Sequence, residues 1–212
     1  MMAKCPLGRT FVAVAVALWL AGCASSPPAR FYTLTPLSQP EAKPSSPAAH
    51  PVSVGIEPVE VPDYLERAQI VTRDGRNELN LAEFDRWAGS LSDSIGTVLA
   101  ENLGLLLGSD QVFVYPRMGT EKPDYTVAMR VLRLDCVLGG QVILKAQWTL
   151  FAGPDRKDGA TRVMTFTERL SDKGYETMVA AVGRTLEQMS REIVREIQAQ
   201  VAVEPQQDLG VE

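Results

Sequence analysis

The chain has 212 residues, of which 45% are hydrophobic and 22% are charged, so its length and composition suit one globular domain with a hydrophobic core. Its formal net charge is -5 at neutral pH, and it offers no basic stripe that could displace counterions from a phosphate backbone. The composition therefore argues against a nucleic-acid-binding protein, and no nucleic-acid partner is predicted.

The N-terminus has the organisation of a bacterial secretion signal. Lys4 and Arg9 supply positive charge ahead of the apolar run 11–21, which is well short of the roughly 20 residues that span a bilayer as a helix. The run ends in Leu20-Ala21-Gly22-Cys23, which resembles the lipobox of bacterial lipoproteins. One alternative is an ordinary secretory signal with a cysteine near its cleavage site by chance; another is an uncleaved anchor, against which the short run argues. We predict a lipoprotein signal peptide over residues 1–22.

The lipobox resemblance implies that Cys23 becomes the first residue of the mature chain and carries a thioether-linked diacylglycerol, followed by N-acylation with a fatty acid such as palmitate. Each buried methylene contributes about 0.8 kcal/mol, so two or three acyl chains make a stable anchor where one chain would bind only marginally. Ala24 follows the cysteine, in place of the Asp that commonly retains lipoproteins at the inner membrane. We therefore predict a lipid anchor at the periplasmic face of the outer membrane.

The mature chain divides into a tether, a domain and a tail. Residues 23–51 are predicted to be a lipidated tether with a short strand at 31–34 and a proline-rich linker, because repeated prolines prevent helix nucleation and central-strand pairing. Residues 52–203 carry the apolar patterns of a folded domain. The polar residues 204–212 are expected to form a frayed tail.

Two stretches show the apolar spacing of amphipathic helices. The first runs from Trp87 to Leu106 with apolar residues at three- and four-residue steps, and Gly108 is placed to end it. The second runs from Tyr175 to about Val201 with the same spacing. Both helices are expected to bury one face against the rest of the domain.

Period-two alternation marks strands elsewhere in the domain, including a hairpin around Asp74-Gly75, which is a favoured turn sequence. Between Tyr125 and Leu138 the alternation changes phase, which a regular strand does not allow, so we predict a β-bulge near Val131-Leu132. From residue 52 onward the predicted order is β-β-β-α-β-β-β-β-α. Because most strands follow one another without a helix, the predicted class is α+β, a mostly antiparallel sheet with two amphipathic helices packed on one face.

The sequence lacks the residue patterns of common catalytic and metal sites. Its single histidine, His50, lies in the proline-rich linker, where it cannot support a Ser-His-Asp or Cys-His arrangement. Cys5 leaves with the signal and Cys23 is lipidated, so Cys136 is expected to be a buried small apolar residue, with a reactive thiol as the alternative. We predict no enzyme activity, no metal site and no cofactor.

The most distinctive stretch is 62–73, which reads PDYLERAQIVTR. Its proline and its Tyr64-Leu65 pair suggest an exposed loop with apolar groups at the tip, and aromatic residues with arginines often anchor protein interfaces. The alternative is that Tyr64 and Leu65 fold back on the domain's own core while the arginines stay solvated. Both interpretations stay open, and the candidate partner-contact residues are Tyr64, Leu65, Arg67 and Arg73.

Four features, in this order, resemble the ABC-type transport auxiliary lipoproteins, the PqiC-like (paraquat-inducible protein C) family. They are the lipobox at Cys23, the patch Phe31-Tyr32-Thr33-Leu34, the stretch 62–73, and Arg86-Trp87 leading into the helix with Leu99-Ala100-Glu101-Asn102-Leu103. The resemblance covers nearly all of the mature chain, and its most specific part runs from Tyr64 to Arg73.

The resemblance implies service to transporters of the mammalian-cell-entry (MCE) type, which move phospholipid or other hydrophobic molecules between the inner and outer membranes. The auxiliary lipoprotein would sit at the outer membrane and receive the periplasmic MCE-domain subunit, while a separate subunit hydrolyses ATP. The expected function is a non-catalytic adaptor in envelope lipid trafficking that contributes to membrane integrity. A homo-oligomeric ring at a tunnel end is compatible with that role, although nothing in the sequence establishes it.

Three other functions compete with the adaptor. A direct lipid-binding module would need a cavity between sheet and helices, lined by residues such as Trp148 and Met178. An assembly factor for an outer-membrane β-barrel would associate with a barrel in place of a transporter. A hydrolase would need a cleft in which carboxylates converge.

Overall fold

A computed structural model describes residues 27–38, 52–116, 122–153 and 157–203 of the chain. The lipobox with Cys23, most of the proline-rich linker with His50, and the tail 204–212 lie outside the described residues. The described elements, in chain order, are β1 Arg30–Tyr32, β2 Val54–Ile56, β3 Gln69–Asp74, β4 Glu78–Trp87, α1 Leu91–Leu107, β5 Val112–Val114, β6 Tyr125–Cys136, β7 Gln141–Ala152, β8 Lys157–Arg169 and α2 Tyr175–Val203. This succession of strands and helices agrees with the predicted order.

The strands form two sheets, one of three strands in the order β1-β4-β3 and one of five in the order β5-β2-β6-β7-β8. The hairpin partners β3-β4, β6-β7 and β7-β8 are antiparallel, whereas β2 pairs in parallel with both β5 and β6, and β1 in parallel with β4. The α+β class is confirmed, but the single, mostly antiparallel sheet is corrected to two mixed sheets. Parallel neighbouring strands need a crossover connection of a dozen or more residues. The chain between β2 and β5 contains the β3-β4 hairpin and α1, so it is long enough for such a crossover.

Helix α1 begins at Leu91 because Ser90 caps it, and its hydroxyl accepts the Asp93 N–H over 3.2 Å. It ends as predicted at Gly108, whose φ of 63° lies in the left-handed region. The predicted start at Trp87 is wrong: Trp87 is the last residue of β4 and is buried in the core. Within the described residues, neither helix is both long and apolar enough to cross a membrane.

The predicted β-bulge is confirmed. Val131 lies opposite Ala146 and Arg133 lies opposite Lys145, so Leu132 is the extra residue between two consecutive partners on β7. The side chain of Leu132 is left 37% exposed, while the apolar residues before and after it both face the core. The bulge thus lets apolar residues in both halves of the twelve-residue strand be buried.

The core lies where α1 packs against α2, and where α2 packs against β7 and β8. Its largest fully buried side chains come from both helices and from the five-stranded sheet, and they include Leu99, Leu103, Leu144, Trp148, Met178, Leu186 and Met189. Cys136 is 2% exposed in the same core. Cys136 is therefore a buried small residue, as predicted, within the described part of the chain.

The segment 30–38 belongs to the folded body, which therefore begins earlier than the expected boundary at residue 52. Leu34 and Leu37 are buried in the common core. The Leu37 N–H donates to the buried Asn102 side-chain oxygen over 2.8 Å, and the Asn102 amide donates to the Ser190 hydroxyl over 3.3 Å. One polar side chain on α1 thus joins this segment to α2, so the chain enters the domain in a fixed position.

Candidate partner-contact surface

The loop 62–68 joins β2 to β3 and is held by backbone hydrogen bonds. The Leu65 N–H donates to the Pro62 carbonyl over 2.8 Å, which closes a turn inside the loop. Where the loop ends, the Trp87 N–H of β4 donates to the Ala68 carbonyl over 2.7 Å. The loop is therefore fixed both by its own turn and by the neighbouring strand.

Glu66 ties the same loop to the first turn of α1. Its carboxylate accepts the Ser92 N–H over 3.2 Å, next to the Ser90 cap. The first N–H groups of a helix lack partners within the helix and favour negative charge. Glu66 and Ser90 together satisfy part of this need, so the loop and the helix start are coupled.

Leu65 and Arg67, two of the candidate contact residues, differ in their exposure to solvent. Leu65 is 3% exposed and belongs to the core cluster, which agrees with the alternative that this side chain folds back on the domain. Its side chain is therefore not at the loop's surface, and a direct contact role for it is not supported. Arg67 is exposed, as are the neighbouring Asp63 and Glu66. The exposed side chains of the loop tip are therefore charged: two are acidic and one is an arginine.

Tyr64 is half-buried and packs against the core from the side of β6. Burial raises the pKa of its phenol above the usual range, and the negative charge of Asp135 acts in the same direction. The backbone of Leu134 and the nearby Arg73 and Arg133 oppose this rise. The hydroxyl thus lies beside a charged cluster on β6, and only part of the ring is accessible at the surface.

That cluster centres on Asp135, whose side chain is 7% exposed. Arg73 Nε lies 2.7 Å from one carboxylate oxygen and Arg133 Nε lies 2.8 Å from the other. Arg73 also donates to the Arg76 carbonyl over 2.9 Å. Arg73, which the sequence offered as a contact residue, therefore fastens the β3-β4 hairpin to the five-stranded sheet, and only 21% of its side chain is exposed.

Sequence reasoning missed two apolar side chains on the same hairpin. Leu79 is 39% exposed and lies opposite Arg73, and Leu81 is 45% exposed and lies opposite Val71. Their two-residue spacing on β4 was a readable signal that both share one face of the strand. We define the contact surface as the loop 62–68 together with the β3-β4 hairpin, which combines an exposed arginine with apolar groups.

The acidic side chains and the one cysteine of the described residues were the candidates for metal binding and for a reactive thiol. Among them, no group of three His, Cys, Asp or Glu side chains could hold a metal ion. Burial raises the pKa of the Cys136 thiol to about 12, so this thiol is protonated at neutral pH and is a poor nucleophile.

Comparison with known proteins places the chain in a family. The sequence profile described as "ABC-type transport auxiliary lipoprotein component" matches residues 32–194, which is most of the chain. The chain belongs to this family. It is 25% identical over 195 residues to the "Intermembrane transport lipoprotein PqiC" of Escherichia coli (strain K12), covering 89% of this chain and 97% of that protein. The protein of the same description from Shigella flexneri matches with the same identity and coverage.

Two solved structures share the fold of this auxiliary lipoprotein. A crystal structure of a protein from Xanthomonas campestris has a TM-score of 0.65 at 18% identity and covers 86% of this chain and 100% of that one. A crystal structure of an uncharacterized protein has a TM-score of 0.65 at 22% identity, with 81% and 99% covered. Membership in a lipoprotein family implies that the chain is associated with a membrane of the cell envelope.

The residues named as candidates for a lipid cavity lie in the packed interior of this auxiliary lipoprotein. Trp148 is 2% exposed and Met178 is 0% exposed, and both belong to the contiguous core. The indole nitrogen of Trp148 is buried without a hydrogen-bond partner among the described residues. This pair therefore packs between helices and sheet and does not line a site that is open at the surface.

Proposed function

We propose that this auxiliary lipoprotein is anchored in the outer membrane and serves an MCE-type ABC system that transports lipid across the periplasm. The observation that carries the proposal is the family match over residues 32–194, which is joined by relatives named for intermembrane transport. The family description, an auxiliary component of transport, supports a non-catalytic adaptor. Its role would be to hold the periplasmic part of the transporter near the periplasmic face of the outer membrane.

The partner contact is proposed to run through the contact surface. Arg67 is exposed at the loop tip, Tyr64 presents part of its ring, and Leu79 and Leu81 add apolar area on the hairpin. Arginine and aromatic residues contribute disproportionately to interface energy when a partner excludes water from them. Leu65 and Arg73 would not touch the partner. Leu65 would fix the loop in position and Arg73 would fix the hairpin.

Isolation of the tagged full-length protein from its native membranes in mild detergent should bring down an MCE-domain subunit. The reason is that an adaptor without chemistry of its own acts only through contact with the transporter. Mass spectrometry of the isolated complex provides the measurement. Recovery of an outer-membrane β-barrel in place of the MCE subunit would contradict the proposal and favour an assembly factor, and recovery of bound lipid alone would favour a lipid-binding module.

Replacing Cys23 with Ser should release the protein from membranes. The reason is that the proposed anchor depends on acyl chains attached to this sulfur. The expected result is loss of the protein from the floating fraction of a density gradient and its recovery in the soluble periplasmic fraction. Flotation of Cys23→Ser at the unmodified level would show that another segment holds the protein at the membrane.

A further inference from the structure

The N-terminal strand β1 turns its three side chains in two directions. Arg30 and Tyr32 both face Asp85: Arg30 Nε lies 2.8 Å from one carboxylate oxygen, and the Tyr32 hydroxyl donates to the same carboxylate over 2.7 Å. Phe31, between them, points to the opposite side, as alternation along a strand requires. Phe31 is 65% exposed, a larger fraction than any other exposed large hydrophobic residue among those the structure describes.

Phe31 does not stand alone on that side of the sheet. β1 pairs in parallel with β4, and Phe31 lies opposite Arg86. Along β4 the buried Asp85 and Trp87 alternate with the half-buried Phe84 and Arg86. Phe84 and Arg86 therefore share the outer side with Phe31, and we call these three side chains the Phe31 face. The Arg86 Nε is buried and has no hydrogen-bond partner among the described residues.

The short stretch of chain between Phe31 and Cys23 suggests what could bind to the Phe31 face. Cys23 precedes Phe31 by eight residues, and a fully extended chain of that length spans at most about 29 Å. Two of the intervening residues are Pro27 and Pro28. An anchored Cys23 would therefore keep Phe31 within about 29 Å of the acyl chains, a distance similar to the thickness of the hydrocarbon core.

The strand that carries Phe31 cannot swing freely on this short connection. The Arg30-Asp85-Tyr32 contacts fix β1 on β4, and Leu34 and Leu37 are buried in the core immediately after it. The orientation of Phe31 relative to the domain is thus set by the fold. In the three-stranded sheet, β1 with Phe31 is one edge strand, and β3, which carries part of the contact surface, is the other.

We propose that the Phe31 face rests on the phospholipid bilayer and orients the domain there, a conclusion that depends on the proposed lipidation of Cys23. An exposed aromatic ring is suited to the boundary between headgroups and acyl chains. Arg86 on the same side adds a positive charge, which favours a surface of anionic phosphates. This orientation turns the other side of β4, which carries the buried Asp85 and Trp87, away from the membrane.

Site-directed spin labelling tests this orientation in the acylated full-length protein, reconstituted into vesicles of phosphatidylethanolamine and phosphatidylglycerol. A nitroxide is attached at Phe31→Cys and, as the matched control, at Val163→Cys, which is 54% exposed on β8 of the other sheet. The native Cys136 is buried with a raised pKa and resists labelling in the folded protein. Collisions with oxygen, which concentrates in the bilayer, are compared with collisions with a water-soluble nickel chelate.

The label at residue 31 should be severalfold less accessible to the nickel chelate than the label at residue 163, and more accessible to oxygen. Mass spectrometry verifies acylation, and flotation of the protein with the vesicles verifies the anchor. If both hold and the two labels are equally accessible to the nickel chelate, the proposed orientation is wrong while the anchor is retained. A label at residue 31 that is shielded from both reagents, with dipolar broadening, would instead place a second copy on this face and refute the membrane contact. Absence of acyl groups on Cys23 would remove the proposed function and this inference together.

Discussion

Replacing Leu65 with Ala should lower the free energy of unfolding by about 2–3 kcal/mol, because Leu65 is 3% exposed and the truncation leaves a cavity under the loop 62–68. The lower part of the usual range for Leu→Ala applies because a loop can relax into the vacated space better than a helix or a strand can. Chemical denaturation followed by circular dichroism measures the change. Capture of the partner should fall as well, since the loop would lose its fixed position.

Arg67→Ala is the matched control on the same loop. Arg67 is exposed, so its truncation should change the free energy of unfolding by no more than about 0.5 kcal/mol. Under the proposed contact, this variant should nevertheless recover less of the MCE-domain subunit than the unmodified protein does. If Arg67→Ala captures the partner normally, the contact does not run through the loop tip. If Leu65→Ala is as stable as the parent, the side chain is not part of the core.

The features that could be predicted from the sequence are those decided by neighbouring residues. The end of α1 at Gly108 follows from the one residue type that adopts a left-handed conformation without strain. The bulge at Leu132 follows from a change of phase in the apolar alternation, which has few structural solutions. In both cases the pattern within a dozen residues was sufficient.

The start of α1 shows how a local pattern can mislead. Trp87 and Leu91 are four residues apart, which imitates one turn of a helix, but Trp87 belongs to β4 and Leu91 to α1. Both are buried because the strand and the helix meet at the same core. The signal that separates them was present: Ser90, followed three residues later by Asp93, is a good capping sequence.

The contact surface depended on pairings that no local pattern contains. Arg73 and Asp135 are separated by 62 residues, so their ion pair exists only once β3 has met β6. The parallel pairing of β2 with β5 and β6 is also a long-range choice, set by packing of the whole domain. For the same reason the sequence could not decide whether Leu65 lies at a loop tip or in the core.

Replacing Asp135 with Ala should lower the free energy of unfolding by about 2–3 kcal/mol. The carboxylate is 7% exposed and binds two arginines, and its removal leaves the largely buried Arg73 without its counterion. Arg133 contributes less, because half of its side chain is exposed and water screens its charge. The β3-β4 hairpin should loosen from the five-stranded sheet, which faster amide hydrogen exchange in β3 would reveal.

The pair Glu60 and Arg130 supplies a matched control, since it also joins a residue of the β2-β3 connection to β6. Its two side chains are 64% and 60% exposed, so Glu60→Ala should cost no more than about 1 kcal/mol. A double-mutant cycle of Arg73→Ala and Asp135→Ala should then give a coupling energy well above that of Arg130→Ala and Glu60→Ala. Equal coupling at the two sites would mean that burial adds nothing to the Arg73-Asp135 pair. In that case the pair would not hold the hairpin, and the contact surface would depend on the apolar packing beneath it.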